Sequence, residues 1–222
     1  MKMKKLSATL VILLCLSFGS LRAKAQSDEL PKFEVGVHFT SITKPSFGNG
    51  DTEPGLGGRL TYNINRSVAV EAVGNFFPHS CRFCGGNGGD NSGNISQGFV
   101  GVKAGKRFDN WGIFAKARPG ITSFSKGDST YVATGPLPAF PFQFVQNRAS
   151  HFSADLGAVL EFYPSKRLVT RFEAGDTLIH YGSRTTNVPT FDGAGNFTLA
   201  PISTRSETRH NFQFSAGVGW RF

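Results

Sequence analysis

Apolar and polar residues alternate at every second position along most of the chain. The clearest example is the last segment, His210–Phe222. Its apolar positions are Phe212, Phe214, Ala216, Val218, Trp220 and Phe222. The intervening positions are Asn211, Gln213, Ser215, Gly217, Gly219 and Arg221. Because successive side chains of a β-strand point to opposite faces, this spacing predicts a strand with one apolar and one polar face.

Seven earlier segments show the same period of two, and no segment shows a convincing amphipathic helix. They are Phe33–Ser41, Leu56–Ile64, Val68–Phe77, Ile95–Phe108, Trp111–Phe124, Ser150–Phe162 and Leu168–Tyr181. The pattern therefore predicts an all-β fold with eight strands, an even number that can close. In the seventh segment Gly175 and Asp176 interrupt the alternation, which predicts a β-bulge there.

The predicted connections alternate between short and long. The short ones are Asn63–Ser67, Asp109–Asn110 and Pro164–Arg167, and the long ones are Thr43–Gly55, Pro78–Asn94, Ser125–Ala149 and Gly182–Thr208. A soluble β-sandwich or a lipocalin-like barrel would also show alternating apolar and polar residues. Neither fold needs long strands that have short connections at one end and long connections at the other. Tilted strands of about 9–11 residues span a bilayer. We therefore predict an eight-stranded antiparallel transmembrane up-and-down β-barrel.

The first 25 residues have the pattern of a secretory signal peptide. A basic Met1–Lys5 precedes an apolar Leu6–Leu21, and Ala23-Lys24-Ala25 has the small-x-small pattern of a cleavage site. We therefore assign residues 1–25 to the signal peptide and residues 26–222 to the barrel. The full chain has a net charge of +9, but residues 26–222 hold 19 Lys and Arg against 15 Asp and Glu, or +4. This modest charge removes the main argument for nucleic-acid binding.

The strand pattern and the C-terminal Trp220-Arg221-Phe222 resemble the small eight-stranded outer-membrane β-barrels of the OmpA/OmpX type. The resemblance covers Phe33–Phe222. It implies that Phe214, Val218, Trp220 and Phe222 form the signal read by the barrel-assembly machinery. It also implies a location in the outer membrane of a Gram-negative-type, diderm bacterium, in contact with membrane lipid and lipopolysaccharide.

The two faces of such a barrel have different chemistry. On the lipid side, aromatic residues are expected at both membrane interfaces. Near the short turns these are Tyr62, Phe108, Trp111, Phe162, Tyr163, Trp220 and Phe222, and near the long loops Phe39, Phe76, Phe77, Phe124, Phe152 and Tyr181. The predicted lumen side carries Glu34, Arg59, Glu71, Lys103, Arg107, Lys116, Arg118, Asp155, Glu161, Arg171, Glu173 and Arg221, together with His38 and His151. Since an eight-stranded barrel has room inside for little more than side chains, we expect these charges to pair and fill the lumen.

Two short motifs could carry chemistry. Cys81 and Cys84 form a CxxC in the second long loop, and export favours a local disulfide there over a metal or redox site. His151 and Ser153 resemble the strand-borne His-x-Ser of lipid A deacylases. A serine nucleophile needs a base and an orienting acid, however. Glu161 lies about 26 Å from Ser153 at ~3.3 Å per residue, and Asp155 is awkwardly placed four residues from His151.

The sequence therefore favours a non-enzymatic barrel with no metal or other cofactor. Its expected role is envelope integrity or surface interaction through the long loops, with an unidentified surface ligand. A narrow, porin-like channel for small solutes is the alternative, and a lipid A-modifying enzyme is a third hypothesis. The loops are rich in Gly, Pro, Asn, Ser and Thr. Long loops on a rigid scaffold are common binding sites.

Overall fold

A computed structural model describes residues 31–44, 51–80, 93–133, 142–191 and 197–222. These ranges contain ten β-strands. They are β1 (Phe33–Lys44), β2 (Asp51–Asn63), β3 (Val68–Ser80), β4 (Gly93–Arg107), β5 (Trp111–Ala133), β6 (Phe142–Phe162), β7 (Leu168–Tyr181), β8 (Arg184–Phe191), β9 (Phe197–Thr204) and β10 (Glu207–Arg221). No helix in these ranges has the length and apolar character needed to cross a membrane.

Eight of the strands form a closed antiparallel barrel in the order β1-β10-β7-β6-β5-β4-β3-β2. Closure is made by β1 and β10, which pair from Glu34 opposite Arg221 to Thr43 opposite Phe212. The backbone of Phe33 also exchanges two hydrogen bonds with that of Phe222, at 3.1 and 2.9 Å. Because bilayer hydrocarbon offers backbone groups no hydrogen-bond partner, closure is what makes a membrane sheet stable. The predicted eight-stranded antiparallel barrel is confirmed.

The strands run farther toward the long connections than their sequence pattern indicates. Strands β5 and β6 continue as a hairpin through residues predicted to be loop, with Asp128 opposite Asn147 and Ala133 opposite Phe142. Strands β8 and β9 form a separate two-stranded sheet within the predicted loop Gly182–Thr208. These segments lack apolar and polar alternation because both faces of a hairpin above the barrel contact solvent.

The bulge predicted at Gly175 and Asp176 is wrong. Strand β7 pairs without interruption with both neighbours, since Asp176 lies opposite Leu156 of β6 and opposite Phe212 of β10. Register shifts occur instead between Phe77 and Ser80 and between Phe124 and Asp128. Both of these irregularities lie toward the long-connection end of the barrel.

Apolar side chains cover the outer face of the barrel, as a lipid-exposed surface requires. Most of the predicted interface aromatics lie there, and Phe108 stacks on Trp111 with ring centroids 4.3 Å apart. Four of them point into the barrel instead: Phe77, Phe124, Tyr163 and Tyr181. Phe77 and Tyr163 directly follow the outward-facing Phe76 and Phe162. The strict alternation of strand side chains therefore sends them to the opposite face.

Inward-facing glycines let neighbouring strands approach closely. A Cβ on Gly217 of β10 would lie 2.2 Å from the carbonyl oxygen of Val37 on β1. By contrast, a Cβ on the outward-facing Gly98 of β4 would have no neighbour within 4 Å. The seam that closes the barrel therefore depends on a missing side chain at Gly217.

We predict that Gly217→Ala destabilises the barrel by about 1–3 kcal/mol, because the added methyl group overpacks the β1–β10 seam. Urea unfolding of the refolded protein in lipid vesicles measures this change. Gly98→Ala is the matched control and should change the free energy of unfolding by less than about 0.5 kcal/mol. Equal effects of the two substitutions would contradict the packing argument.

Candidate functional site: the charged barrel interior

All twelve charged residues predicted for the lumen project into the barrel. Eleven are buried, and the side chain of the twelfth, Arg107, is 8% exposed. The set comprises five carboxylates and seven cations, and every one of the eight barrel strands contributes at least one member: Glu34 (β1), Arg59 (β2), Glu71 (β3), Lys103 and Arg107 (β4), Lys116 and Arg118 (β5), Asp155 and Glu161 (β6), Arg171 and Glu173 (β7), and Arg221 (β10). The barrel thus brings together residues that are far apart along the chain.

Arg118 occupies the centre of this arrangement. Its Nη2 donates to Asp155 Oδ2 at 2.5 Å and to Glu173 Oε2 at 2.6 Å. Its Nη1 reaches Glu71 Oε2 at 3.2 Å. Lys116 Nζ bonds to Asp155 at 3.0 Å and to Glu173 at 2.8 Å. One guanidinium therefore joins carboxylates from β3, β6 and β7 across the lumen.

Arg171 makes a second group of contacts, next to the group made by Arg118. Arg171 forms a two-pronged contact with Glu71, of which the Nη2–Oε2 bond is 2.8 Å. Its Nε lies 2.7 Å from Glu173 Oε1, and its Nη1 is 3.4 Å from Glu161 Oε1. Lys103 bonds to Glu161 as well. Because Glu71 and Glu173 contact both Arg118 and Arg171, the two groups form one continuous network.

A smaller ion pair lies on the other side of the lumen. Arg59 of β2 donates to Glu34 of β1 from Nε at 3.1 Å and from Nη2 at 2.9 Å. A Cβ at Gly36 would lie 2.9 Å from the Arg59 guanidinium carbon, and one at Gly219 would lie 3.0 Å from Nη2. Glycines at these two inward positions therefore provide the space in which the guanidinium lies.

At the short-turn end, cations gather around Tyr163. Arg221 lies over its ring at 4.4 Å, and Arg107 donates to its hydroxyl at 2.9 Å. That hydroxyl in turn donates to Glu161 at 2.8 Å. Arg221 also donates to the carbonyl of Ser165 in the turn after β6. Tyr163 thus links this end of the lumen to the central network, a role that sequence reasoning missed because it placed Tyr163 on the lipid face.

Toward the long-connection end most of the lumen residues are uncharged, although Glu53, opposite Ile42 across the β1–β2 pair, is also buried. His38 Nε2 and Asn75 Oδ1 are 2.8 Å apart, and Asn75 donates to Gln97 at 3.0 Å. Beyond them Ile42, Phe77 and Ile95 form a buried cluster against which Phe124 packs. His38 is a predicted lumen residue, and the alternation of β3 and β4 places Asn75 and Gln97 on the same inward face.

His151 and Ser153, the residues that resemble the His-x-Ser of lipid A deacylases, make separate contacts. Ser153 is buried and accepts a hydrogen bond from Thr122 at 3.0 Å, on the neighbouring strand β5. The ring of His151 packs against Tyr181, with centroids 4.5 Å apart. Asp155 belongs to the charge network described above. Within the ranges that the structure describes, no cluster of three His, Cys, Asp or Glu residues is placed to hold a metal ion.

The remaining predicted sites lie elsewhere. Phe214, Val218, Trp220 and Phe222 are exposed on the outer face at the C-terminal end of the barrel, where membrane lipid would contact them. Cys81, Cys84 and residues 1–25 lie outside the described residues. The disulfide, the signal peptide and the assembly signal therefore stay predictions.

We predict that Arg118→Met lowers the free energy of unfolding by about 3–5 kcal/mol, because it leaves buried carboxylates without their shared cation. Equilibrium unfolding in urea measures the loss. Arg184→Met serves as the control, since its ion pair with Asp128 is about half exposed, with the side chains 49% and 47% accessible. Exposed pairs contribute about 0–1 kcal/mol. A loss at Arg118 no larger than the loss at Arg184 would contradict a buried, tightly coupled network.

The chain matches a known protein family and is similar in fold to several solved barrels. The family model of the outer membrane protein beta-barrel domain matches residues 11–222. Among solved structures, the attachment invasion locus protein Ail of Yersinia pestis, in complex with the heparin analogue sucrose octasulfate, has a TM-score of 0.52 at 11% identity. That alignment covers 87% of this chain and 100% of Ail.

Two further barrels are similar at lower scores. Neisserial surface protein A has a TM-score of 0.45 at 13% identity, covering 86% of this chain and 97% of that one. The N-terminal β-barrel domain of Pseudomonas aeruginosa OprF has a TM-score of 0.42 at 12% identity, covering 84% and 97%. The search of curated proteins gave no match.

Proposed function

Since this chain belongs to the outer membrane protein beta-barrel domain family, we propose that it is a closed structural barrel that presents β-hairpins at the cell surface. It is an outer-membrane β-barrel protein of a Gram-negative-type bacterium. The observation that carries the closed-barrel proposal is the burial of its interior charges. Arg118, Arg171 and Glu161 are each no more than 2% exposed.

The contacts of these charges support a closed interior over a channel. A water-filled path would leave charged side chains hydrated, whereas here Lys103 is buried and pairs with two buried carboxylates, Glu71 and Glu161. Burying a charge is costly unless it is paired. The apolar cluster of Ile42, Phe77 and Ile95 adds a second obstacle near the other end. A narrow channel, the alternative function, would require both layers to rearrange.

We predict that the purified protein in planar lipid bilayers gives no stable conductance on the scale of a general porin, because the lumen is filled by side chains. A general porin in the same bilayer is the positive control. Replacing Lys116 and Asp155 together by Ala removes one cation and one anion, and we expect it to increase the frequency of brief openings. Steady conductance of the unmodified protein would favour the channel and contradict the closed barrel.

The hairpins above the barrel support the surface-interaction part of the proposal. Arg184 at the start of β8 contacts the β5–β6 hairpin, with Nη1 3.3 Å from the carbonyl of Gly127 and 3.5 Å from Asp128. A recess of about 120 Å³ lies at this junction, and its lining includes Arg184, Arg205 and Arg209 together with Glu207, which pairs with Arg209 at 2.5 Å. The three guanidinium groups outnumber this carboxylate and so favour an anionic ligand, since arginine matches the geometry of sulfate and phosphate groups.

Sucrose octasulfate is a suitable probe because it is the ligand in the Ail complex. We predict that it binds this protein, and that replacing Arg184, Arg205 and Arg209 by Gln weakens binding at least tenfold by isothermal titration. Replacing Lys106, Lys166 and Arg167 by Gln at the opposite, short-turn end removes the same number of charges, and this control should leave binding unchanged. Equal weakening by both variants would mean that overall charge, rather than this recess, attracts the anion.

A further inference from the structure

Asp176 is an acidic residue on the outer face of the barrel. The inward residues of β7 in this region are Glu173 and Thr177, so Asp176 projects the other way. Its partners across the sheet are Leu156 on β6 and Phe212 on β10, which are 42% and 57% exposed on the outer surface. Asp176 therefore lies between apolar side chains that face lipid.

The depth of Asp176 follows from its position on the strand. It lies eight residues beyond Leu168, the first residue of β7 after the short turn. At ~3.3 Å per residue and a tilt of about 40°, it is about 20 Å above that end of the strand. The apolar band of an outer-membrane barrel is about 25 Å tall. The carboxylate is therefore in the upper part of the band, at the level where outer-leaflet acyl chains begin.

Neighbouring groups hold the Asp176 carboxylate in one orientation. His210 Nδ1 lies 2.5 Å from Oδ2, and the backbone N–H of Asn211 donates to Oδ1 at 2.9 Å. The side-chain amide of Asn211 donates to the carbonyl of Thr177 at 2.9 Å, which fixes this part of β10. Each carboxylate oxygen still has acceptor capacity, since an ionised carboxylate has about four lone-pair sites.

We propose that Asp176 and His210 form a lipid-facing site for a glycolipid of the lipid A class. A carboxylate at this depth needs a hydrogen-bond donor near the acyl chains. The ester region of a phospholipid offers only acceptors, whereas lipid A carries amide N–H and hydroxyl groups on its acyl chains. Closer to the rim, His180 and Thr208 are bonded to each other at 3.0 Å and extend the polar strip toward the headgroups. The proposal rests on the outer-membrane location and is independent of whether the lumen conducts.

The test compares thermal unfolding in vesicles of phosphatidylethanolamine and phosphatidylglycerol with and without lipid A. We expect lipid A to raise the unfolding temperature of the unmodified protein. Asp176→Leu and His210→Leu should each lose most of that increase while remaining at least as stable in phospholipid alone. Thr170→Val, an outward polar residue of β7 near the short turn, should keep the full increase.

Native mass spectrometry of the same variants measures retained lipid A directly. It therefore gives a result even for a variant whose unfolding temperature is too low for the thermal comparison. Retention of lipid A by Asp176→Leu at the level of the unmodified protein would overturn the proposal. So would equal destabilisation in both vesicle types, which would indicate a purely structural pair. A change of oligomeric state without a change in lipid A retention would assign the pair to a contact between copies, and would also overturn it.

Discussion

The limited space inside an eight-stranded barrel governs the rest of this structure. Once the sheet closes between β1 and β10, the interior holds side chains and almost no solvent, so each charge must be compensated by another side chain. Arg118 and Arg171 achieve this by each contacting three carboxylates from different strands. The same contacts that neutralise the charges also tie strands together across the lumen. Closure and charge compensation therefore depend on each other.

The barrel and the hairpins above it differ in how much their contacts contribute to stability. Inside, the coupled contacts are buried, so the loss of one group affects several others. Above the barrel, the ion pair between Arg184 and Asp128 is about half exposed and contributes little to stability. The ligand recognition that we propose thus lies in the part of the molecule whose contacts contribute least to its stability. Residues there can change without disturbing the closed sheet.

The alternation of residues was enough to predict the barrel and its interior charges, because both follow from the strict two-residue period of a strand. Aromatic character alone does not predict the lipid face: Phe77 and Tyr163 each directly follow an outward residue and so point inward. The extended part of β5 and the whole of β8 and β9 have no alternation to predict them, because a hairpin in solvent has no apolar face. Individual partners, such as Arg59 with Glu34, depend on strand register and on glycines in neighbouring strands, which a single sequence does not specify.

Asp176 shows most clearly what the structure adds to the alternation rule. In the sequence, Gly175 and Asp176 looked like a break in the strand, since a carboxylate on the apolar face contradicts the pattern. The uninterrupted register of β7 removes that explanation and leaves the carboxylate facing lipid. The five carboxylates of the charge network are compensated by at least one arginine or lysine each, whereas Asp176 has a histidine and one backbone N–H. The barrel therefore compensates this charge less completely than any carboxylate in its central network, and the surrounding membrane is the remaining source of donors.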